Sequence, residues 1–186
     1  MNKPRPAVFL DKDGTINIEK EYLHRVDDWE WIPGSVDAIH RLNQLGFLVI
    51  VVTNQAGIAR GYYTEHAVAI LHEQVNNMLA ASGAHVDAYY YCPHHFDFGA
   101  IKDCFCRKPR PGMLMLAQKE WNIDLNKSFM VGDKLIDIQA AQAAGVTPIM
   151  VRTGYGTKES ALLTDDIVIA TDLLNAVQRI ENALLA

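Results

Sequence analysis

The chain has 186 residues, 49% of them hydrophobic and 21% charged, with 17 Lys plus Arg against 22 Asp plus Glu for a formal charge of −5. That length suits one compact domain with a sizeable core, and that composition excludes a disordered or low-complexity chain. The acidic balance argues against a duplex-coating surface, hence against a nucleic-acid partner, but leaves room for a small phosphorylated substrate.

The N-terminal stretch MNKPRPAVFLDKDG lacks the apolar span of a signal peptide, and no run approaches the roughly 18 apolar residues of a membrane helix. A cytoplasmic protein without a membrane partner is expected. The first predicted element is a strand over 7–10. Its exit, Asp11-Lys12-Asp13-Gly14-Thr15, sets two carboxylates two positions apart. Alone, Asp-x-Asp-Gly is as much a turn or calcium-loop pattern as a site.

A helical pattern over 35–45 follows, stopped by Gly46, and then an apolar strand over 47–52 that exits into TNQAGIARG. Thr64 and Glu65 open a second helix over 64–81, stopped by Ser82-Gly83. A third strand over 88–91 exits into CPHH. After CRKPRPG comes a helix over 112–121, then a strand over 129–131 exiting into GDKLID. A helix over 135–144, a strand over 148–151, a weaker strand over 167–169 and a closing helix from 171 complete the pattern.

This alternation predicts a single doubly wound, Rossmann-like α/β domain over 1–186, with a mostly parallel sheet and helices on both faces. About 36 residues join the first two strands, too few for a large separate cap domain. No apolar helix face lacks a core use, so a monomer is expected. Ligands in such sheets bind at the carboxyl ends of the strands, where the polar exits lie.

Like charges held together need a cation, so Asp11 and Asp13 predict a bound metal, with Asp133 completing its oxygen ligands; Mg²⁺ suits such a set. Thr53 and Asn54 at the second strand tip offer a hydroxyl and an amide to phosphate oxygens, and Lys108 a cation. Asp137 reads equally as a residue orienting Lys108 or a metal-bound water and as an acid favoured at a helix N-terminus. All three cysteines fall in one window, Cys92-Pro-His94 and Cys104-Phe-Cys106. Three thiolates and an imidazole predict a closed tetrahedral structural Zn²⁺ site, with His95 competing for the histidine position. Tying down the loop 92–106 would fix Arg107 and Lys108 just downstream.

DKDGT, VVTNQ, RKP and GDKLID, in this order at strand ends, resemble the four motifs of haloacid dehalogenase (HAD)-superfamily phosphatases. The resemblance implies that Asp11 is the nucleophile, forming an aspartyl-phosphate, and that Asp13 is the general acid and base. It further implies that Asp11, the backbone carbonyl of Asp13, and Asp133 hold Mg²⁺, that Thr53 and Lys108 bind the transferring phosphoryl group, and that His94 joins the three cysteines on Zn²⁺. TNQAGIARGYYT, CPHH and RKPRPGMLMLA are similar to a zinc-loop branch acting on a sugar bisphosphate, more than to its histidinol-phosphatase neighbours. Substrate contacts are then expected from Glu19, Lys20, Glu21, Tyr22, Asn54 and Gln55. Arg60, Arg107 and Lys134 are candidates for the second phosphate, with Arg110 read as surface charge. Glu21 stands where relatives carry glycine, which stiffens the loop and adds negative charge near an anionic substrate. A catalytically silent zinc-stabilised binding module is the rival of another class; it fits poorly with every expected catalytic position being filled. No GxxxxGK[ST] loop points to ATP.

Overall fold

β1 (Ala7–Leu10) is buried along its whole length, as a short apolar run at the centre of a parallel sheet must be. In the computed structural model, which describes residues 3–163 and 166–185, it pairs in parallel with β2 (Leu48–Asn54) on one side and β4 (Phe129–Gly132) on the other. β3 (Ala88–Cys92), β5 (Thr147–Val151) and β6 (Val168–Ala170) extend the sheet to the order β3-β2-β1-β4-β5-β6, with every pairing parallel. Among the described residues no helix is long and apolar enough to cross a membrane.

Alternate side chains of each strand feed two separate cores. Val8 and Leu10 pack with Val49 and Val51 against α1 (Ser35–Gln44), α3 (Glu65–Ala80) and α7 (Leu173–Leu185). Ala7 and Phe9 pack with Leu48, Ile50 and Met130 against α4 (Gly112–Trp121) and α5 (Leu135–Ala144). Each fully buried Leu, Ile or Phe contributes about 1.5–3 kcal/mol relative to exposure. The central strands are therefore a stiff base for what projects from their ends.

The predicted elements form with small shifts. The second strand runs two residues past its apolar stretch, because Thr53 and Asn54 stay in register with Tyr91 and Cys92 of β3. The sixth strand lies at Val168–Ala170, held by β5. α2 (Ala56–Ala59) and α6 (Gly156–Glu159) are four-residue helices, too short to show a hydrophobic period.

Strand order reverses between β1 and β4. At that switch point the strand tips diverge from their crossovers and leave a crevice. The Asp11 N–H donates to the Val131 carbonyl at 2.9 Å, so the β1 exit stays tied to β4 just before Asp133.

Candidate active site

The centre of the crevice is a buried ion-pair cluster. Lys108 Nζ lies 2.7 Å from Asp11 Oδ1, 2.7 Å from Asp137 Oδ1, and donates to the Val52 carbonyl at 2.8 Å. Two reciprocal bonds pin its backbone: the Lys108 N–H to Asn54 Oδ1 and Asn54 Nδ2 to the Lys108 carbonyl, both 3.1 Å. Burial works against the ammonium, but the charges of Asp11 and Asp137 outweigh it and raise the Lys108 pKa. Lys108 therefore remains charged where a phosphoryl group would need it.

Asp137 satisfies both of its sequence readings at once. Its Oδ2 accepts from the Lys134 N–H at 3.0 Å, closing a capping box at the start of α5, while its Oδ1 faces Lys108. With both oxygens engaged, it braces the lysine. Burial pushes its carboxyl up to about 6 against the pull of Lys108.

Asp11, Asp133 and Asp137 bring one oxygen each to within 4.8 Å of one another, all three residues being buried. Asp133 Oδ2 accepts from the Tyr155 N–H at 2.8 Å, and its Oδ1 is buried with no hydrogen-bond partner. Burial and then the charge of Asp11 push the Asp133 carboxyl up to about 8. A buried carboxylate oxygen without a donor, next to a second buried acid, calls for a hard divalent cation. The residues thus fit Mg²⁺. The Asp13 side chain stands outside this cluster: its Oδ1 accepts from Lys12 Nζ at 2.7 Å and Asn17 Nδ2 at 3.0 Å. Burial pushes its carboxyl up, yet the Lys12 charge, the bonds from Lys12 and Asn17, and Lys134 more than offset this, leaving it below the usual range. Gly14 (φ +83°) makes the close approach possible, since a Cβ there would sit 2.3 Å from Asp133 Oδ2.

Asp11, Asp13, Lys108 and Asp137 face a cavity of about 230 Å³, whose wall also includes Glu19, Glu21, Tyr22, Thr53, Asn54, Gln55 and Lys134. Lys134 Nζ donates to Glu19 Oε2 at 3.1 Å, and the Glu21 N–H donates to Glu19 Oε1 at 3.0 Å. Glu21 and Tyr22 both adopt left-handed backbone, with φ 44° and 54°. The glutamate thus takes up a conformation that favours glycine. Lys20, Arg60 and Arg107 are not among the residues that line this cavity. Lys20 pairs with Glu30 at 3.0 Å. Arg60, which ends α2, stacks its guanidinium 4.1 Å from the Phe98 ring centroid. Arg107 donates to the His94 carbonyl at 3.0 Å and lines a neighbouring cavity of about 360 Å³ that shares Lys108 and Ile136 with the first.

Tyr63 and Tyr155 were not legible as wall residues. Tyr63 OH donates to Gln55 Oε1 at 2.6 Å, and Gln55 Nε2 donates to Thr53 Oγ1 at 3.0 Å, which orients the threonine hydroxyl. Tyr155 follows the β5 tip, so the strand-end rule applied to the fifth strand would have pointed to it.

The Cys92, His94, Cys104 and Cys106 ligand atoms converge at the end of β3. Cys92 and Cys104 Sγ are 3.6 Å apart, Cys106 and Cys92 Sγ 3.3 Å, and Cys106 Sγ and His94 Nδ1 3.3 Å. Thiolates about 2.3 Å from a tetrahedral zinc would stand about 3.8 Å apart, close to these spacings. His95 turns away: its Nδ1 accepts from the Asp97 N–H, and its ring stacks on Phe96.

A family model described as "HAD-hyrolase-like" matches residues 105–176. A D-glycero-beta-D-manno-heptose-1,7-bisphosphate 7-phosphatase of Yersinia pestis is 48% identical over 159 residues, 83% of this chain and 84% of that protein. The protein of the same name from Escherichia coli (strain K12) is 45% identical over 186 residues, 96% of this chain and 97% of its own. A crystal structure of D,D-heptose 1.7-bisphosphate phosphatase from B. bronchiseptica, complexed with magnesium and phosphate, is similar with a TM-score of 0.86 at 35% identity, covering 96% of this chain and 99% of that one.

Proposed function

Since the chain belongs to the family of D-glycero-beta-D-manno-heptose-1,7-bisphosphate 7-phosphatases, HAD-like phosphoric monoester hydrolases, we propose that it removes the C7 phosphate of that sugar bisphosphate through a phosphorylated Asp11, leaving the 1-phosphate. By the same resemblance the product serves nucleotide-activated heptose synthesis for lipopolysaccharide core, a cytoplasmic task for a monomeric enzyme. The observation that carries the mechanism is the Asp11 carboxylate at the β1 tip, 2.7 Å from a charged Lys108 and facing the cavity.

Asp11, Asp133 and the Asp13 carbonyl would hold Mg²⁺, which supplies charge neutralisation on the phosphoryl oxygens when bound. Thr53, oriented by Gln55, and Lys108 offer the remaining donors to those oxygens. A carboxylate can approach an anionic phosphate only where such cations offset the repulsion. Asp13, kept ionised by Lys12 and Asn17, is set up as the base that activates water against phospho-Asp11. To protonate the leaving alkoxide in the first half-reaction it must first gain a proton. Zn²⁺ on the four Cys/His ligands would fix the loop that delivers Arg107 and Lys108.

The distal phosphate has a cationic wall to meet. Lys102, Arg107, Lys108 and Arg110 line the second cavity, although Arg110 is engaged with Asp103 and the Cys104 carbonyl. The first cavity carries Glu19, paired with Lys134, and Glu21. This polarity favours a bisphosphate running from Asp11 toward Arg107.

Parallel steady-state assays with both anomers of the heptose bisphosphate and with histidinol phosphate test the reading, together with acid-quench trapping of labelled protein. The bisphosphate should give the higher kcat/KM, and label should vanish in Asp11→Ala. A higher kcat/KM for histidinol phosphate, or full turnover by Asp11→Ala, overturns it.

A further inference from the structure

The Arg60 side chain has no acidic partner among the described residues, and its Nε is buried without a hydrogen bond. What holds it is aromatic surface: its guanidinium lies 4.1 Å from the Phe98 ring centroid and 5.8 Å from that of Tyr22. A planar, weakly hydrated guanidinium stacks in this way where an ammonium would not. Phe98 belongs to the loop closed by the four Cys/His ligands, and its ring is 5.2 Å from His95, the neighbour of the ligand His94. Gly99 of the same loop packs against Ala59 of α2, where an added Cβ would come 3.3 Å from the alanine Cβ.

The other end of the stack is a strained element. Tyr22 has a left-handed backbone directly after another left-handed residue, Glu21, and such pairs persist only where the surroundings over-determine them. Here the surroundings are Arg60, the Tyr62 ring edge-on at 4.8 Å, and His24, whose Nδ1 lies 2.9 Å from the Tyr22 carbonyl while its ring stacks on Tyr63. Tyr22 and Tyr63 both line the catalytic cavity. A continuous chain of contacts thus runs from the Cys/His loop to the cavity wall.

We propose that Arg60 is a positioning residue that couples the Cys/His loop to the substrate loop through Phe98 and Tyr22, so that an ordered Cys/His loop keeps the cavity in its binding shape. The inference rests on the cavity being the substrate site, but its first test needs no substrate. Hydrogen exchange on the metal-loaded full chain should show Arg60→Gln losing protection in two segments, 18–25 and 95–102, with the sheet unchanged. Phe98→Ala should loosen 18–25, and Phe98→Tyr, which keeps the ring, should restore it. Chelation should raise exchange in 18–25 of the parent protein and add nothing in Phe98→Ala. In turnover, Arg60→Gln should raise KM about three- to fivefold, the scale of one exposed cation–π contact, with kcat within about twofold. Protection of 18–25 that is indifferent to Phe98→Ala overturns the coupling. So does an Arg60→Gln effect confined to bisphosphate over monophosphate substrates with exchange unchanged, since that marks a direct phosphate ligand. Failure of the heptose assignment would leave the exchange results standing.

Discussion

Lys108 Nζ stands 2.7 Å from Asp11 Oδ1, although 97 residues separate the two in the chain. Both side chains are almost wholly buried, and Asp137 Oδ1 completes the cluster 2.7 Å from the same nitrogen. One buried cation thus offsets two buried acids.

Lys108→Met should lower kcat by about 10²–10³-fold, the usual cost of losing one preorganised donor to developing charge. It should also destabilise the metal-free protein by about 3–5 kcal/mol, because Asp11 and Asp137 are left buried without their counter-ion. Steady-state kinetics and urea unfolding measure the two effects separately.

Magnesium affinity should rise with pH up to about 8. Burial and Asp11 raise the Asp133 carboxyl to about 8 in the metal-free protein, so binding below that pH must expel a proton. The folded form holds this proton more tightly than the unfolded chain, whose Asp titrates near 3.9. The contribution of Asp133 to metal-free stability is therefore full below about pH 4 and is lost as pH climbs through about 8. Calorimetric titrations in buffers of different ionisation enthalpy should detect the released proton at pH 6.5. Asp133→Asn should abolish both the release and its share of the stability slope, and a pH-independent affinity would contradict the assignment.

His94→Ala should lose the bound metal of the Cys/His loop while His95→Ala keeps it. His94 Nδ1 lies 3.3 Å from Cys106 Sγ, whereas His95 Nδ1 is committed to the Asp97 N–H. Elemental analysis of purified proteins should give near one zinc per chain for His95→Ala and well under half for His94→Ala. Limited proteolysis within 93–103 should speed up only in the second.

Gly14→Ala should cost far more than Gly46→Ala. Both glycines have φ +83°, so each substitution incurs the left-handed penalty of about 1–2 kcal/mol. At Gly46 nothing lies within 4 Å, but at Gly14 the new methyl would meet Asp133 Oδ2 at 2.3 Å. Expelling Asp133 adds about 1–3 kcal/mol of overpacking. Magnesium-dependent activity should fall in Gly14→Ala and remain in Gly46→Ala.

Much of the fold was legible because each central strand is a short apolar run with a polar exit. Ala7–Leu10 and the helix at Gly112–Trp121 have the same bounds in sequence and structure. The strand-end rule likewise led to Asp11, Thr53 and Asp133. It does not reach side chains whose direction depends on a neighbour. Arg60 reads as a spare cation for a second phosphate and Lys20 as part of a substrate loop; in the structure Lys20 pairs with Glu30 and Arg60 stacks on the Phe98 ring. Arg107, read as a cation for a second phosphate, lines the neighbouring cavity, where its guanidinium donates to the His94 carbonyl.

By itself the sequence determined the parallel α/β architecture, the family and the residue types of the Cys/His and carboxylate clusters, because hydrophobic period and motif order are local properties of the chain. Only the tertiary structure decided that His94 and not His95 joins the cysteines, that Asp137 caps α5 and braces Lys108 together, and that Glu21 and Tyr22 hold left-handed backbone. Those outcomes depend on which groups far apart in the chain compete for the same atom or the same space, and such competition is resolved only once the sheet has brought the loops together.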